Sequence, residues 1–246
     1  MICIVLAGGY GKRLWPLTRD TAKPLLPIGD RVVLDYVMDK VLELDELDKI
    51  IISTNLRFEK DFKKWMRKYC GVPLELSVEP SRKEEEKPGA VRALYLLASK
   101  FSDDCLVIAG DNIFTFSLKV LVEEYKRLRA PLIALYDVGS LELAKNYGAV
   151  EVDSELRIIG FEEKPANPKS TLVSTGIYVY PRKVIPMMKS YLEEGGGADR
   201  LGEFIEWLHK RIPVYGYIVQ GEWWDIGTME TYREVLRRIG ENPCHT

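Results

Sequence analysis

Ile2-Cys3-Ile4-Val5-Leu6-Ala7-Gly8-Gly9-Tyr10-Gly11-Lys12-Arg13-Leu14 opens the chain directly behind Met1. Its first five residues form an unbroken apolar run, the pattern of a strand buried on both faces in a parallel sheet. The run passes into Gly8, Gly9 and Gly11. Without Cβ atoms, their backbone amides can approach a ligand closely and converge on it. Lys12 and Arg13 then add two cations. A strand, a glycine loop and adjacent cations suit a triphosphate. Two familiar phosphate patterns do not fit: a dinucleotide fingerprint needs a glycine where Leu14 stands, and a P-loop needs Ser or Thr where Arg13 stands.

Working outward, further buried runs occur at Ile50–Ser53 and Cys105–Ala109, with helical patterns between and after them. Phe62, Trp65 and Met66 share one face of a charged segment. Leu118, Leu121, Val122, Tyr125 and Leu128 recur at helical spacing. Strand alternating with helix predicts right-handed βαβ units, hence an α/β fold: a Rossmann-like three-layer sandwich with a mostly parallel central sheet. The second half reads differently. Strands are expected at 149–152, 157–161 and 172–180, as a mixed extension of the sheet. Helices are expected at 184–193, 202–211 and 229–239, with Gly195-Gly196-Gly197 as a flexible break. One domain over 1–246 is expected, with halves at about 1–135 and 136–246. No hexapeptide repeat announces a C-terminal β-helix.

Composition narrows the function classes. Apolar residues make up 46% of the 246, too many for a disordered chain. The net charge of -2 supplies no broad field for nucleic acid or a membrane surface, so any phosphate site depends on local charge placement. Cys3, Cys70, Cys105 and Cys244 form no CxxC pair. Cys3 and Cys105 sit in apolar runs, which favours buried thiols, a reducing compartment and a cytoplasmic location. The apolar start is too short for a signal peptide. The two histidines, His209 and His245, lie outside every motif.

Three further segments carry chemistry. Trp15-Pro16-Leu17-Thr18 leads to Lys23-Pro24-Leu25-Leu26-Pro27, where prolines hold an extended loop and fix Lys23 near the glycines. Val107-Ile108-Ala109-Gly110-Asp111-Asn112 ends a buried strand with an acid, the place where open α/β sheets bind ligands. Trp223-Trp224-Asp225-Ile226-Gly227-Thr228 supplies a second carboxylate among apolar neighbours. Taken alone, either aspartate could be a turn or cap residue. Glu162-Glu163-Lys164-Pro165 and Thr175-Gly176-Ile177-Tyr178 complete the set. Side chains alternate along a strand, so Glu163 and Lys164 face one ligand only if the strand ends there; Pro165 marks that end.

Residues 6–18 and 23–27 resemble the signature of the sugar-1-phosphate nucleotidylyltransferase family, Leu-Ala-Gly-Gly-x-Gly-x-Arg-Leu-x-Pro-Leu-Thr followed by Lys-Pro-Leu-Leu-Pro. The third block is closest in pattern to the glucose-1-phosphate thymidylyltransferases. The resemblance implies a fold of the nucleotide-diphospho-sugar transferase type, with a nucleotide-binding first half and a sugar-binding second half. It implies nucleotide binding by Leu6, Ala7, Gly8, Gly9, Gly11, Lys12, Arg13, Lys23, Glu79 and Gly89. Gly148, Glu163, Lys164, Thr175 and Tyr178 would bind the sugar phosphate. Asp111 and Asp225 would hold Mg2+, with Arg13 and Lys23 completing the catalytic set. The partners implied are an NTP and a sugar 1-phosphate, with neither nucleic acid nor membrane; relatives often form homo-oligomers. Glucose 1-phosphate with dTTP or UTP is the expected pair. A mannose-1-phosphate guanylyltransferase and a silent nucleotide-sugar-binding regulator are the alternatives.

Besides the stretch Gly29-Asp30-Arg31-Val32, which lacks the proline common there, two positions near the implied base pocket depart from the family pattern. Glu79 stands where the family has Gln, and an ionised Glu accepts hydrogen bonds but cannot donate them, which suits the donors of guanine better than the carbonyls of thymine or uracil. Arg92 stands where a smaller or neutral residue is usual. The acidic stretch 83–87 is expected to be a solvated loop. A cytidylyltransferase acting on an alcohol phosphate is disfavoured by the block at 163–178, and a dinucleotide-dependent oxidoreductase by the missing third glycine.

Overall fold

In chain order the elements are β1 (Ile2–Leu6), β2 (Pro27–Ile28), β3 (Arg31–Val32), α1 (Val33–Leu42), β4 (Lys49–Asn55), α2 (Glu59–Met66), β5 (Leu74–Glu79), α3 (Ala90–Ala98), β6 (Cys105–Ala109), β7 (Asn112–Phe114) and α4 (Leu118–Leu128). They continue with β8 (Leu132–Asp137), α5 (Leu141–Ala144), β9 (Gly148–Val152), β10 (Ile158–Glu163), β11 (Leu172–Tyr180), α6 (Ile185–Glu193), α7 (Leu201–Leu208), β12 (Tyr215–Ile218), β13 (Trp223–Asp225) and α8 (Met229–Val235). The computed structural model describes residues 1–240, so Cys244 and His245 lie outside the described residues. The fold class is α/β, as the alternation of buried strands and helices predicts.

The chain divides into two compact units. The first comprises Cys3–Lys87, Ala109–Phe116 and the described residues from Gly221 onward. Here β1, β4 and β5 lie in that order. β4 runs parallel to β5, from Ile50 opposite Leu74 to Asn55 opposite Glu79. Every residue of β4 except Lys49 is buried, which explains its unalternating apolar sequence. α2 buries Phe62 and Trp65 and turns its charges outward. Asp35, in the first turn of α1, accepts hydrogen bonds from the Val32 amide (3.0 Å), Trp65 Nε1 (2.8 Å) and Tyr69 Oη (2.9 Å), and pairs with Lys68. A buried carboxylate with this many donors is stable in place and ties the start of α1 to α2.

A separate core cluster of this unit joins Leu14, Leu26, Ile28, Val33, Ile113, Ile226, Tyr232 and Val235. Full burial of an aliphatic side chain stabilises by roughly 1.5–3 kcal/mol as an upper estimate. This cluster gathers the tail of the glycine loop, β2, α1, β7 and α8 around the strand ends that carry the aspartates.

The second unit comprises Met1–Ile2, Pro88–Ile108 and Ser117–Gln220. Its strand order is β10-β9-β11-β6, with β8 also paired to β11 and β12 paired to β8. β11 is antiparallel to β6, β8 and β9, whereas β12 is parallel to β8. This is the mixed extension expected from the sequence. An aromatic cluster of Tyr180, Tyr191, Phe204 and Trp207 locks α6 and α7 against β11, with centroid separations of 5.5–6.1 Å.

The expected flexible break at Gly195–Gly197 is instead an ordered cap. Gly195 adopts φ +88°, and the amides of Gly195 and Gly196 donate to Leu192 O (3.2 Å) and Tyr191 O (2.9 Å), closing α6. The loop then presents Ala198 O to the Val91 amide at the start of α3 (2.9 Å). A Cβ on Gly89, at φ +87°, would lie 2.3 Å from that carbonyl, so only glycine fits there. Among the described residues no helix is long and apolar enough to cross a membrane.

Candidate active site

The glycine loop is fixed from the buried end of β4. The Ala7 amide donates to Ser53 O (2.7 Å), and the carboxamide of Asn55 donates to Gly8 O (3.0 Å) while accepting from the Phe58 amide (3.2 Å). Asn55 is fully buried. The amides of Gly8, Gly9 and Gly11 donate to no acceptor among the described residues. A run of unspent N–H groups is what an anion site requires. Gly11 is left-handed, with φ +60°. A Cβ there would press on Thr18 at 3.2 Å, and Thr18 Oγ1 donates to Gly11 O at 2.7 Å.

Of the two loop cations, Arg13 is exposed and forms no ion pair among the described residues. Lys12 pairs with Glu84 (2.9 Å) and Glu85 (3.1 Å). The acidic stretch is therefore not simply solvated; it covers the Lys12 charge. Surface pairs of this kind are worth about 0–1 kcal/mol, so a triphosphate can displace them.

Lys23 is 7% exposed, in the short helical turn Lys23–Leu25. Its ammonium donates to Asp111 Oδ2 at 2.6 Å and lies 3.7 Å from Asp225 Oδ1. Burial alone would lower the lysine pKa. The charges of Asp111 and Asp225 and the Asp111 hydrogen bond overcome it, against opposition from Arg13, and hold the value above the ordinary one.

The two acids meet because of a two-stranded ribbon. β7 and β13 pair antiparallel with Asn112 opposite Asp225, and the Ile226 amide donates to Asp111 O at 3.0 Å. The Gly110 amide bonds Leu6 O (2.9 Å), and a Cβ on Gly110 would sit 3.0 Å from that carbonyl, so glycine lets Asp111 reach the end of β1. Among the described residues no group of three or more His, Cys, Asp or Glu side chains is gathered for a metal. Asp111 and Asp225 both approach the Lys23 ammonium; two carboxylates are the kind of donor set magnesium takes, with phosphate oxygens and water in its other positions.

Glu79 ends β5 beside the loop. Its Oε1 lies 3.5 Å from where a Cβ on Gly8 would be. Ser81 Oγ donates to Oε1 at 2.8 Å, and Tyr10 Oη donates to Ser81 Oγ at 3.2 Å. Burial raises the Glu79 pKa, and Ser81 and Lys87 oppose the rise.

The residues expected to bind the sugar phosphate belong to the second unit. Gly148 and Gly202 flank the Glu163 carboxylate: a Cβ would lie 3.2 Å from Oε2 at Gly148 and 2.2 Å at Gly202. Burial raises the Glu163 pKa, with Lys164 and Arg200 pulling it down. Lys164 is exposed and adopts φ +51°. This left-handed residue, directly before Pro165, ends the alternation of β10. Its amide donates to Tyr147 O at 2.9 Å.

Thr175 and Tyr178 sit deeper than expected. The Thr175 hydroxyl donates to Ala134 O at 2.9 Å, so its proton is spent on the sheet. The Tyr178 hydroxyl accepts from Ser174 Oγ at 3.1 Å, its ring stacks on Tyr180, and burial pushes its pKa up to about 12. Both are buried within their unit. Gly202, Asn55, Ser81 and Tyr10 join the site only through the folded structure. A glycine inside a helical pattern costs about 1 kcal/mol and was the available signal for Gly202.

A loop of unspent amides, an exposed guanidinium and two carboxylates beside a buried ammonium make up the candidate site of this α/β chain. The chain belongs to the nucleotidyl transferase family, whose model it matches over residues 2–242. It is 31% identical over 229 residues to the bifunctional protein GlmU of Methanocaldococcus jannaschii, covering 92% of this chain and 51% of that protein. It is 29% identical over 254 residues to a glucose-1-phosphate adenylyltransferase of Lachnospira eligens, covering 95% of this chain and 58% of that one. The chain thus spans little more than half the length of these curated relatives. A solved Bacillus anthracis structure, assigned as a glucose-1-phosphate thymidylyltransferase and holding a sucrose, superposes with a TM-score of 0.84 at 28% identity, covering 98% of this chain and 96% of that one.

Proposed function

We propose that this protein transfers a nucleotidyl group from a nucleoside triphosphate to a sugar 1-phosphate, releasing pyrophosphate. The observation that carries the reading is the convergence of Asp111 and Asp225 on the Lys23 ammonium, in the same unit as the open glycine amides. A phosphate oxygen of the sugar 1-phosphate attacks the α-phosphorus; the bond from the α-phosphorus to the bridging oxygen breaks, and pyrophosphate carries away its electrons. Two anions must be aligned, so catalysis consists mainly of charge neutralisation and positioning.

The loop amides and Arg13 bind the triphosphate, and Lys23 neutralises charge close to the reacting phosphates. Asp111 and Asp225 would hold Mg2+, which when bound supplies Lewis-acid charge stabilisation to the phosphate oxygens. Glu163 accepts hydrogen bonds from sugar hydroxyls and Lys164 binds the sugar phosphate. The attacking oxygen is already ionised near neutral pH, so no general base is needed. Glucose is the sugar favoured by the pattern of residues 162–180. The same resemblance points to dTTP or UTP, while Glu79 argues for a different base.

Pyrophosphate release across triphosphates and sugar phosphates, with and without Mg2+, tests the reading. Asp111→Asn is expected to lower turnover by at least about 100-fold, in line with losing one element of charge stabilisation. Undiminished turnover in that variant would remove Asp111 from the mechanism. A nucleotide-sugar sensor would bind but release no pyrophosphate, and it would have no need of the paired carboxylates.

A further inference from the structure

We propose that Glu79, held by Ser81 and Tyr10, selects guanine, so that GTP is the triphosphate this protein uses. The assignment rests on the nucleotidyl-transfer reading above and names its base.

The direction of each proton in the Tyr10–Ser81–Glu79 chain follows from chemistry. An ionised carboxylate has no proton to give, so the 2.8 Å contact requires the Ser81 hydroxyl to donate to Glu79 Oε1. With its one proton spent, Ser81 Oγ must accept at its 3.2 Å contact with Tyr10, and the phenol donates there. Tyr10 and Ser81 are buried, 6% and 2% exposed, so neither hydroxyl turns elsewhere without losing its partner. The cluster therefore shows a ligand acceptors only: Oε2 and the unused lone pair of Oε1.

The backbone fixes where these acceptors stand. Glu79 is the register partner of Asn55, whose side chain holds Gly8 O. The Leu56 amide bonds both Glu79 O (2.9 Å) and Ser81 O (3.1 Å). The carboxylate is thereby keyed to the loop that would take the phosphates.

An acceptor-only pair discriminates among bases. Guanine presents a ring N–H and an amino group side by side, which a carboxylate can bind with both oxygens. Thymine and uracil present one N–H between two carbonyl oxygens, which would face the carboxylate as like charges. Adenine and cytosine place an amino group beside a ring acceptor, so one oxygen would be opposed. Leaving a half-buried acceptor opposed costs more than a missing contact.

The test uses the full chain in two arms. Calorimetric titration with GTP, UTP, dTTP, ATP and CTP reads base preference without turnover, and pyrophosphate release with a sugar 1-phosphate reads use. GTP should bind tightest and give the highest kcat/KM. Glu79→Gln should lower kcat/KM for GTP by about 10- to 100-fold, mainly through KM, and improve UTP or dTTP relative to it. Ser81→Ala, which leaves the carboxylate in place but unanchored, should narrow the preference for GTP by about 3- to 10-fold. A pyrimidine triphosphate bound more tightly than GTP, or an unchanged ranking in Glu79→Gln, would overturn the assignment. Tightest binding of GTP with no pyrophosphate from any triphosphate would sustain the base assignment while ending the transferase reading.

Discussion

Replacing Lys164 with glycine should make the protein more stable and less active at once. The left-handed conformation at φ +51° costs a residue with a Cβ about 1–2 kcal/mol. The residue before a proline is restricted further, and Pro165 follows directly. Glycine removes both penalties but adds about 0.5–1 kcal/mol of unfolded-state entropy. The Lys164 side chain is exposed, so trimming it loses no burial. The net is a gain of about 0.5–1 kcal/mol, which for a chain of this size raises Tm by roughly 1–4 °C. Lys164→Ala keeps the strained backbone and should stay within about 0.5 kcal/mol of the parent. Both variants should lose about 10- to 100-fold in kcat/KM for the sugar 1-phosphate, the size of one charge-assisted hydrogen bond. Scanning calorimetry and pyrophosphate release read the two effects separately. A glycine variant no more stable than the alanine variant would refute the strain argument, and unchanged sugar-phosphate kinetics in both would refute the role of the ammonium.

Gly202→Ala would place a methyl 2.2 Å from Glu163 Oε2 and 3.0 Å from the Phe161 ring, so the carboxylate must move. The KM for sugar 1-phosphate should rise about 10-fold or more while triphosphate titrations stay unchanged; parent-like kinetics would show that the carboxylate does not need its place. Burial holds the Glu163 carboxyl above its ordinary value of 4.5, so the folded state prefers the protonated form. That contribution is complete below the ordinary value and is lost as pH rises through the raised one. Glu163→Gln cannot ionise, so its Tm should fall less than the parent's from pH 4.5 toward neutrality, and parallel melting curves would contradict the shift.

The parts of the site that sequence reveals are those lying in short contiguous stretches. Gly8, Gly9, Gly11, Lys23, Asp111 and Asp225 each lie in a stretch that carries its own local constraint. The strands at β9, β10 and β11 were legible as short runs separated by turns. β12, with glycine at its centre, pairs with β8 through a distant parallel register that leaves little local trace. Asn55 is the last of three polar residues, Ser53-Thr54-Asn55, that close an apolar run, and its hold on Gly8 O exists only after β1 and β4 are neighbours. The left-handed Lys164 could not be read, since lysine carries no preference for that conformation. The Gly195–Gly197 run showed its glycines plainly but not its order, because the Ala198 contact with α3 spans distant segments. The same holds for Lys12, whose acidic neighbours were visible as charge but not as partners.

The β7–β13 ribbon has a consequence for biosynthesis. One strand, Asn112–Phe114, is made long before the other, Trp223–Asp225, and their pairing sets Asp225 beside Asp111. In a growing polypeptide the two carboxylates can meet only once the strand carrying Asp225 has been made. A product cut short before Trp223 would lack the second carboxylate of the proposed site and should release no pyrophosphate.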